Sequence, residues 1–185
     1  LAALQQLTTC HRKAFDIPIV GITGSNGKTM VKEWLSQLLA YDKNVTRSPK
    51  SYNSQIGVPL SVWLLNESSQ IGLIEAGISE VGEMQALHDI IQPTVGVLTS
   101  LGAAHQENFS SLEEKCNEKL LLFKGTQALV YQLDDEIAAK CISAVHYDGK
   151  LLAWSEHDTT AAFFVDRIEK SDTASTVSYI WQHAT

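Results

Sequence analysis

The chain has 185 residues, 44% hydrophobic and 19% charged, the profile of about one soluble globular domain with apolar material for a sizeable core. A net charge of −7 and a pI of about 5.3 give no electrostatic support for a nucleic-acid role, although local amides, one lysine and a metal can still neutralise a polyphosphate. There is no run of 18 apolar residues and no basic-then-apolar leader, so the expectation is a cytoplasmic protein with no membrane span and no signal peptide.

Residues 1–14 read as a helix closing a preceding region, with a second unit from 15 to 185. IPIVGIT (17–23) reads as a buried strand, followed by a glycine turn and a helix from Lys28 to Ala40. NVTRS is a short strand, and IGVPLSVWLLN a helix that tolerates Pro59 in its first turn. IGLIEAG (71–77) is a second core strand, VGEMQALHDII a helix stopped near Pro93, and TVGVLTS (94–100) a third strand. SLEEKCNEKLLLFK (111–124) is a helix with Ser111 and Glu114 as a capping box. QALVYQL is a fourth strand and DDEIAAKCISA a helix capped by Asp134. Beyond Lys150 the pieces LLAWS, AAFFVDRIEK and STVSYIWQ predict an antiparallel hairpin at the sheet edge. Strands alternating with helices predict an α/β fold: a P-loop NTPase-like, mostly parallel sheet flanked by helices, with a β-rich antiparallel C-terminal edge. Cys10, Cys116 and Cys141 form no C-x-x-C pair and read as reduced core residues.

GITGSNGKT (21–29), between a strand and a helix, is the strongest chemical signal. Its glycines let backbone N–H groups turn toward phosphate oxygens, and the following helix adds the positive end of its dipole. Gly24, Ser25, Asn26 and Gly27 would cradle the phosphates, Lys28 would reach the β- and γ-phosphates, and the Thr29 hydroxyl would ligate Mg²⁺. The strict G-x-x-x-x-G-K-[ST] pattern wants glycine where Ile22 stands. The plain alternative is a glycine-rich turn that binds nothing.

Ligands of open α/β sheets sit beyond the carboxyl ends of the strands. Glu75 closes the apolar run 71–74, where a phosphate-loop enzyme needs a carboxylate for its metal; it could equally be the first solvated residue after a strand. His105 lies in the loop after the third strand. On a helical wheel of 111–124, Lys119 falls in the middle of the arc formed by Leu112, Cys116, Leu120 and Phe123, with Lys115, Glu118 and Lys124 toward its margins. A lysine there must be partnered, snorkel to water, or change its charge chemically.

The order TGSNGKT, then YNSQIGVPLS, then IEAGISEVGEMQALHDIIQPTVGVLTSLGAAHQENFSSLEE, resembles the central ATP-binding domain of the Mur ligase family up to about residue 135. The middle pieces resemble members that add D-alanyl-D-alanine to a UDP-N-acetylmuramoyl tripeptide in peptidoglycan synthesis. Folylpolyglutamate synthases share the first motif but not the later ones. The resemblance implies an ATP-dependent amide ligase working through an acyl phosphate, with Lys28, His105 and Lys119 catalytic. It further implies Thr29, Glu75 and His105 as Mg²⁺ ligands, Asn53 near the nucleotide, and Lys119 carried as an N-carbamate. It also implies flanking N- and C-terminal domains. Ser54 stands where the family usually shows a second asparagine, and Leu121 where it shows an acidic residue. The rival of another class is a nucleotide-binding module without catalysis.

Overall fold

The computed structural model describes residues 1–102 and 106–181. The chain runs α1 (Ala2–Arg12), β1 (Ile19–Thr23), α2 (Lys28–Leu39), β2 (Val45–Arg47), α3 (Gly57–Val62), β3 (Ile71–Glu75), α4 (Glu83–Ile91), β4 (Val95–Leu98), α5 (Leu112–Leu120), β5 (Ala128–Gln132), α6 (Glu136–Ala144), β6 (Lys150–Ser155), β7 (Phe163–Lys170) and β8 (Ser175–Trp181). The strands form one sheet in the order β2-β3-β1-β4-β5-β6-β7-β8. All neighbours are parallel except the final pair, β7 with β8. The central strand β1 is buried along its whole length, as a strand covered on both faces must be.

Two apolar clusters lie on the two faces of the sheet. Ile19, Ile74, Leu98 and Leu129 pack with residues of α3, α4, α5 and α6. Val20, Ile22 and Leu73 pack with Val31, Leu35 and Leu39 of α2. The alternation of Ile19 against Val20 and Ile22 is the period of two that divides a strand's side chains between its faces. α1 is clamped to the end of α4: the buried Arg12 guanidinium donates to the carbonyls of Ile91 at 2.9 Å and Gln92 at 3.1 Å.

The antiparallel C-terminal edge is present, but its first predicted piece is not part of the hairpin. β6 extends the parallel sheet beside β5, and the hairpin is β7 with β8. Asp135, not Asp134, caps α6 by accepting from the Ala138 N–H at 3.0 Å. Asp134 is engaged elsewhere, accepting from the Ser155 hydroxyl and the Glu156 N–H to tie the ends of β5 and β6. Helix α5 stops at Leu120 and tightens into a 3₁₀ turn over Leu121–Phe123, which drives Leu122 and Phe123 into the core. Ser111 caps α5 through the Glu114 N–H, whereas the Glu114 carboxylate reaches back to Ser110, one residue earlier than a capping box requires. α3 is shorter than predicted, ending at Val62. Cys116 and Cys141 are buried, but Cys10 is exposed.

Candidate functional site

The loop between β1 and α2 curls from Gly24 (φ 151°) to Gly27 (φ 81°), conformations that disfavour side chains. A Cβ at Gly24 would lie 2.0 Å from the Thr99 hydroxyl, so glycine is needed there for space as well. The segment after β4 holds the loop in shape. Ser25 N–H donates to the Ser100 carbonyl at 2.6 Å, the Thr99 hydroxyl to the Asn26 carbonyl at 2.6 Å, and the Ser25 hydroxyl to the Gly102 carbonyl at 3.1 Å. Gly27 caps α2 without a side-chain acceptor, leaving the first N–H groups of the helix to an anion. Ile22 departs from the strict glycine pattern because it is still strand: it is fully buried beneath α2, and the loop begins two residues later.

Lys28 donates to the carbonyls of Gly24 at 2.8 Å and Ser25 at 3.3 Å. Burial lowers its pKa, Glu75 works in the opposite direction, and Lys115 lowers it further. Glu75, paired across the sheet with Ile22, is 1% exposed. The Thr29 hydroxyl stands 3.1 Å and 3.0 Å from its two oxygens, the Asn53 amide donates to Oε1 at 2.8 Å, and Lys32 Nζ lies 3.6 Å from Oε2. Asn53 is brought there by a close backbone approach, its carbonyl accepting from the Gly77 N–H at 2.7 Å. Beside it, the Ser54 hydroxyl accepts from the Gly57 N–H at 3.2 Å in the first turn of α3, a local capping reason for serine at that position.

Among the described residues no three His, Cys, Asp or Glu side chains are grouped to hold a metal. One carboxylate and one hydroxyl, at the mouth of a phosphate loop, nevertheless fit Mg²⁺, which takes one or two protein oxygens and completes its shell with water and phosphate. His105 lies outside the described residues.

Lys119 is 2% exposed, as its place on the wheel predicts, and lines the same cleft as Lys28. Burial, then repulsion from Lys28 and Lys115, lowers its pKa to about 8. Lys115 and Glu118 are buried too, contrary to the wheel. Their cover comes from loops that a helical wheel does not represent: Lys115 donates to the Gly102 carbonyl at 2.7 Å and sits 5.9 Å from the Phe109 ring centre. Glu118 accepts from the N–H groups of Gly82 at 2.9 Å and Met84 at 3.0 Å, capping α4 from outside. Leu121, in the tightened turn, packs partly buried against the core. Sequence reasoning missed Lys32, also fully buried, although a lysine one turn after Lys28 on a helix facing the sheet was a readable signal.

Two adjoining clefts meet at Lys28. One, of about 290 Å³, runs along residues 25–30 to Asn53 and Glu75. The other, of about 330 Å³, is bordered by Lys28, Asn53, Ser54, Ser79, Glu83 and Lys119. A polyphosphate in the first would present its terminal group to whatever fills the second.

A family model described as the Mur ligase middle domain matches residues 22–184. Over 182 residues the chain is 29% identical to the UDP-N-acetylmuramoyl-tripeptide–D-alanyl-D-alanine ligase of Bacillus subtilis, covering 92% of this chain and 40% of that protein. A crystal structure of MurF from Acinetobacter baumannii superposes with a TM-score of 0.88 at 23% identity, covering 97% of this chain and 40% of that one. MurF ligase from Thermotoga maritima, solved in complex with ADP, gives a TM-score of 0.84 at 25% identity, covering 96% and 41%. The chain thus spans no more than 41% of the length of any of these three proteins.

Proposed function

The chain belongs to the Mur ligase middle-domain family, and from that premise we propose that it is the nucleotide-binding part of an ATP-dependent amide ligase of peptidoglycan synthesis. The substrates are a UDP-N-acetylmuramoyl tripeptide and D-alanyl-D-alanine. Flanking N- and C-terminal domains of the same protein complete the site. The observation that carries this reading is the convergence of Lys28, Thr29, Glu75, Asn53 and Lys119 on two clefts that share Lys28.

The peptide carboxylate attacks the γ-phosphorus of ATP, forming an acyl phosphate and releasing ADP. The amine of the dipeptide then attacks the activated carbonyl, and phosphate leaves as the amide forms. Phosphoryl transfer needs no protein nucleophile; positioning and charge neutralisation carry it. The amides of residues 24–28 hold the β-phosphate, and Lys28 leaves its loop carbonyls for the β- and γ-oxygens. Thr29 and Glu75 would hold one Mg²⁺ and His105 a second, and such ions would supply charge neutralisation at the phosphate oxygens. Asn53 keeps the Glu75 carboxylate turned toward Thr29.

Lys119 is N-carbamoylated in this reading. Its depressed pKa supports the assignment, because only a neutral amine adds CO₂, forming the N–C bond and releasing a proton to solvent. The resulting anion shares the cleft with Lys28 and removes the repulsion between the two cations.

The test is ligation by the full-length protein with the tripeptide carboxylate labelled in ¹⁸O. One labelled oxygen should appear in the released phosphate, and folate acceptors should give no product. ATP binding without any ligation would favour a nucleotide-binding module instead. Carbamoylation is read by ¹³C NMR in labelled bicarbonate: the carbamate signal should vanish in Lys119→Ala, and its absence from the native protein would refute it.

A further inference from the structure

Lys32 is 0% exposed, and none of the steps above uses it. It lies one helical turn beyond Lys28 on α2, so one face of that helix carries both. Its ammonium donates to the Ser48 carbonyl at 2.8 Å and to the Lys50 carbonyl, and stands 3.3 Å from Glu33 Oε1 and 3.6 Å from Glu75 Oε2. Lys50 has φ 48°, a left-handed conformation uncommon for a side chain of that kind, in the turn whose carbonyls face the ammonium. Three residues on, Asn53 donates to the other oxygen of Glu75, while the Ser48 hydroxyl accepts from the Glu75 N–H at 3.1 Å.

One cation therefore ties together α2, the 48–53 segment and the rim of β3. A buried cation carries a desolvation cost that an apolar side chain of similar length avoids, so packing alone gives no reason for lysine here. The charge is matched instead to the oxygens around it. We propose that Lys32 is a positioning residue for the metal-holding end of the site. It fixes the Glu75 carboxylate and the 48–53 segment against α2, so that Thr29, Glu75 and Asn53 stay aligned. This rests on the Mg²⁺-nucleotide reading above.

Calorimetry of ADP binding to the full-length protein, with EDTA and with Mg²⁺, tests it. Lys32→Met should leave the affinity in EDTA within about threefold of native and reduce the gain from Mg²⁺ by at least ~10-fold, the scale of lost support behind a metal ligand. Lys32→Arg, which keeps the charge, should recover part of that gain. A folded Lys32→Met variant that binds Mg²⁺ and ADP as the native protein does would overturn the proposal. If the variants do not fold, amide exchange on the native protein decides: residues 28–33 and 48–53 should gain protection together on adding Mg²⁺ and ADP, and protection of 28–33 alone overturns it. A native protein that binds no ADP sinks the underlying reading itself.

Discussion

At the rim where β1 and β3 end, Glu75 is 1% exposed and surrounded by Thr29, Asn53, Ser48 and Lys32. In the hairpin of β7 and β8, Val177, Tyr179, Ile180 and Trp181 are each about half exposed, and the ring contacts are Phe163 with Tyr179 at 4.4 Å and with Trp181 at 5.7 Å. The first region concentrates charge where water is excluded, so each partner sets the position of the next. The second is held by ladder hydrogen bonds and a few ring contacts, and its side chains act nearly independently. Substitutions at the rim should therefore change chemistry out of proportion to stability, and those in the hairpin the reverse.

The sharpest break comes at Lys28. In the full-length protein, if it ligates as proposed, Lys28→Ala should lower kcat/KM for ATP-driven ligation by ~1000-fold, the upper range for removing one charge-stabilising donor, with little change in melting temperature. Near-native turnover would place the phosphates elsewhere. Lys119 is next. Its folded-state pKa of about 8 lies below the usual 10.5, so between these values the unfolded chain holds a proton that the folded one releases. Stability in CO₂-free buffer should rise with pH across that window, with the burial penalty fully present below pH 8. Lys119→Met should flatten the slope and stabilise the protein at pH 7 by on the order of 3 kcal/mol. Chemical denaturation at several pH values measures both.

Gly24→Ala should cost about 2 kcal/mol, because the loop must move away from Thr99 and give up a backbone angle that alanine avoids. ADP affinity should fall with it; a variant that melts early yet binds normally would separate loop shape from binding. The smallest effect is expected at Tyr179→Ala, about 1 kcal/mol from the lost stacking on Phe163, with ADP binding unchanged. Weakened nucleotide binding there would erase the contrast between the regions.

The rim was readable in sequence where local rules govern it. The glycines, Lys28 and Thr29 follow from the geometry of a strand-to-helix turn, and Glu75 from its place at the end of an apolar run. Lys119 stood out because a wheel detects a charge amid leucines. Lys115 did not, because its partner is the carbonyl of Gly102 in a distant loop, which no periodicity encodes; for Lys32 the helical spacing from Lys28 was legible, but not its loop partner Ser48. Asp134 and Asp135 are adjacent and chemically alike; Ser155 and Glu156 at the end of the neighbouring strand hold Asp134 and leave Asp135 to cap α6. The strand at 150–155 was legible as β, but its direction depends on the α6 crossover returning it beside β5 in parallel register.

The Lys28 ammonium rests on two carbonyl oxygens of its own loop. Any incoming anion must replace both, and they are already in place at no assembly cost. A polyphosphate that also took the free N–H groups at the start of α2 would offset that loss more fully than a single-charged anion at the ammonium alone. The loop thus sets a threshold that a lone monovalent anion would meet less readily than a polyphosphate.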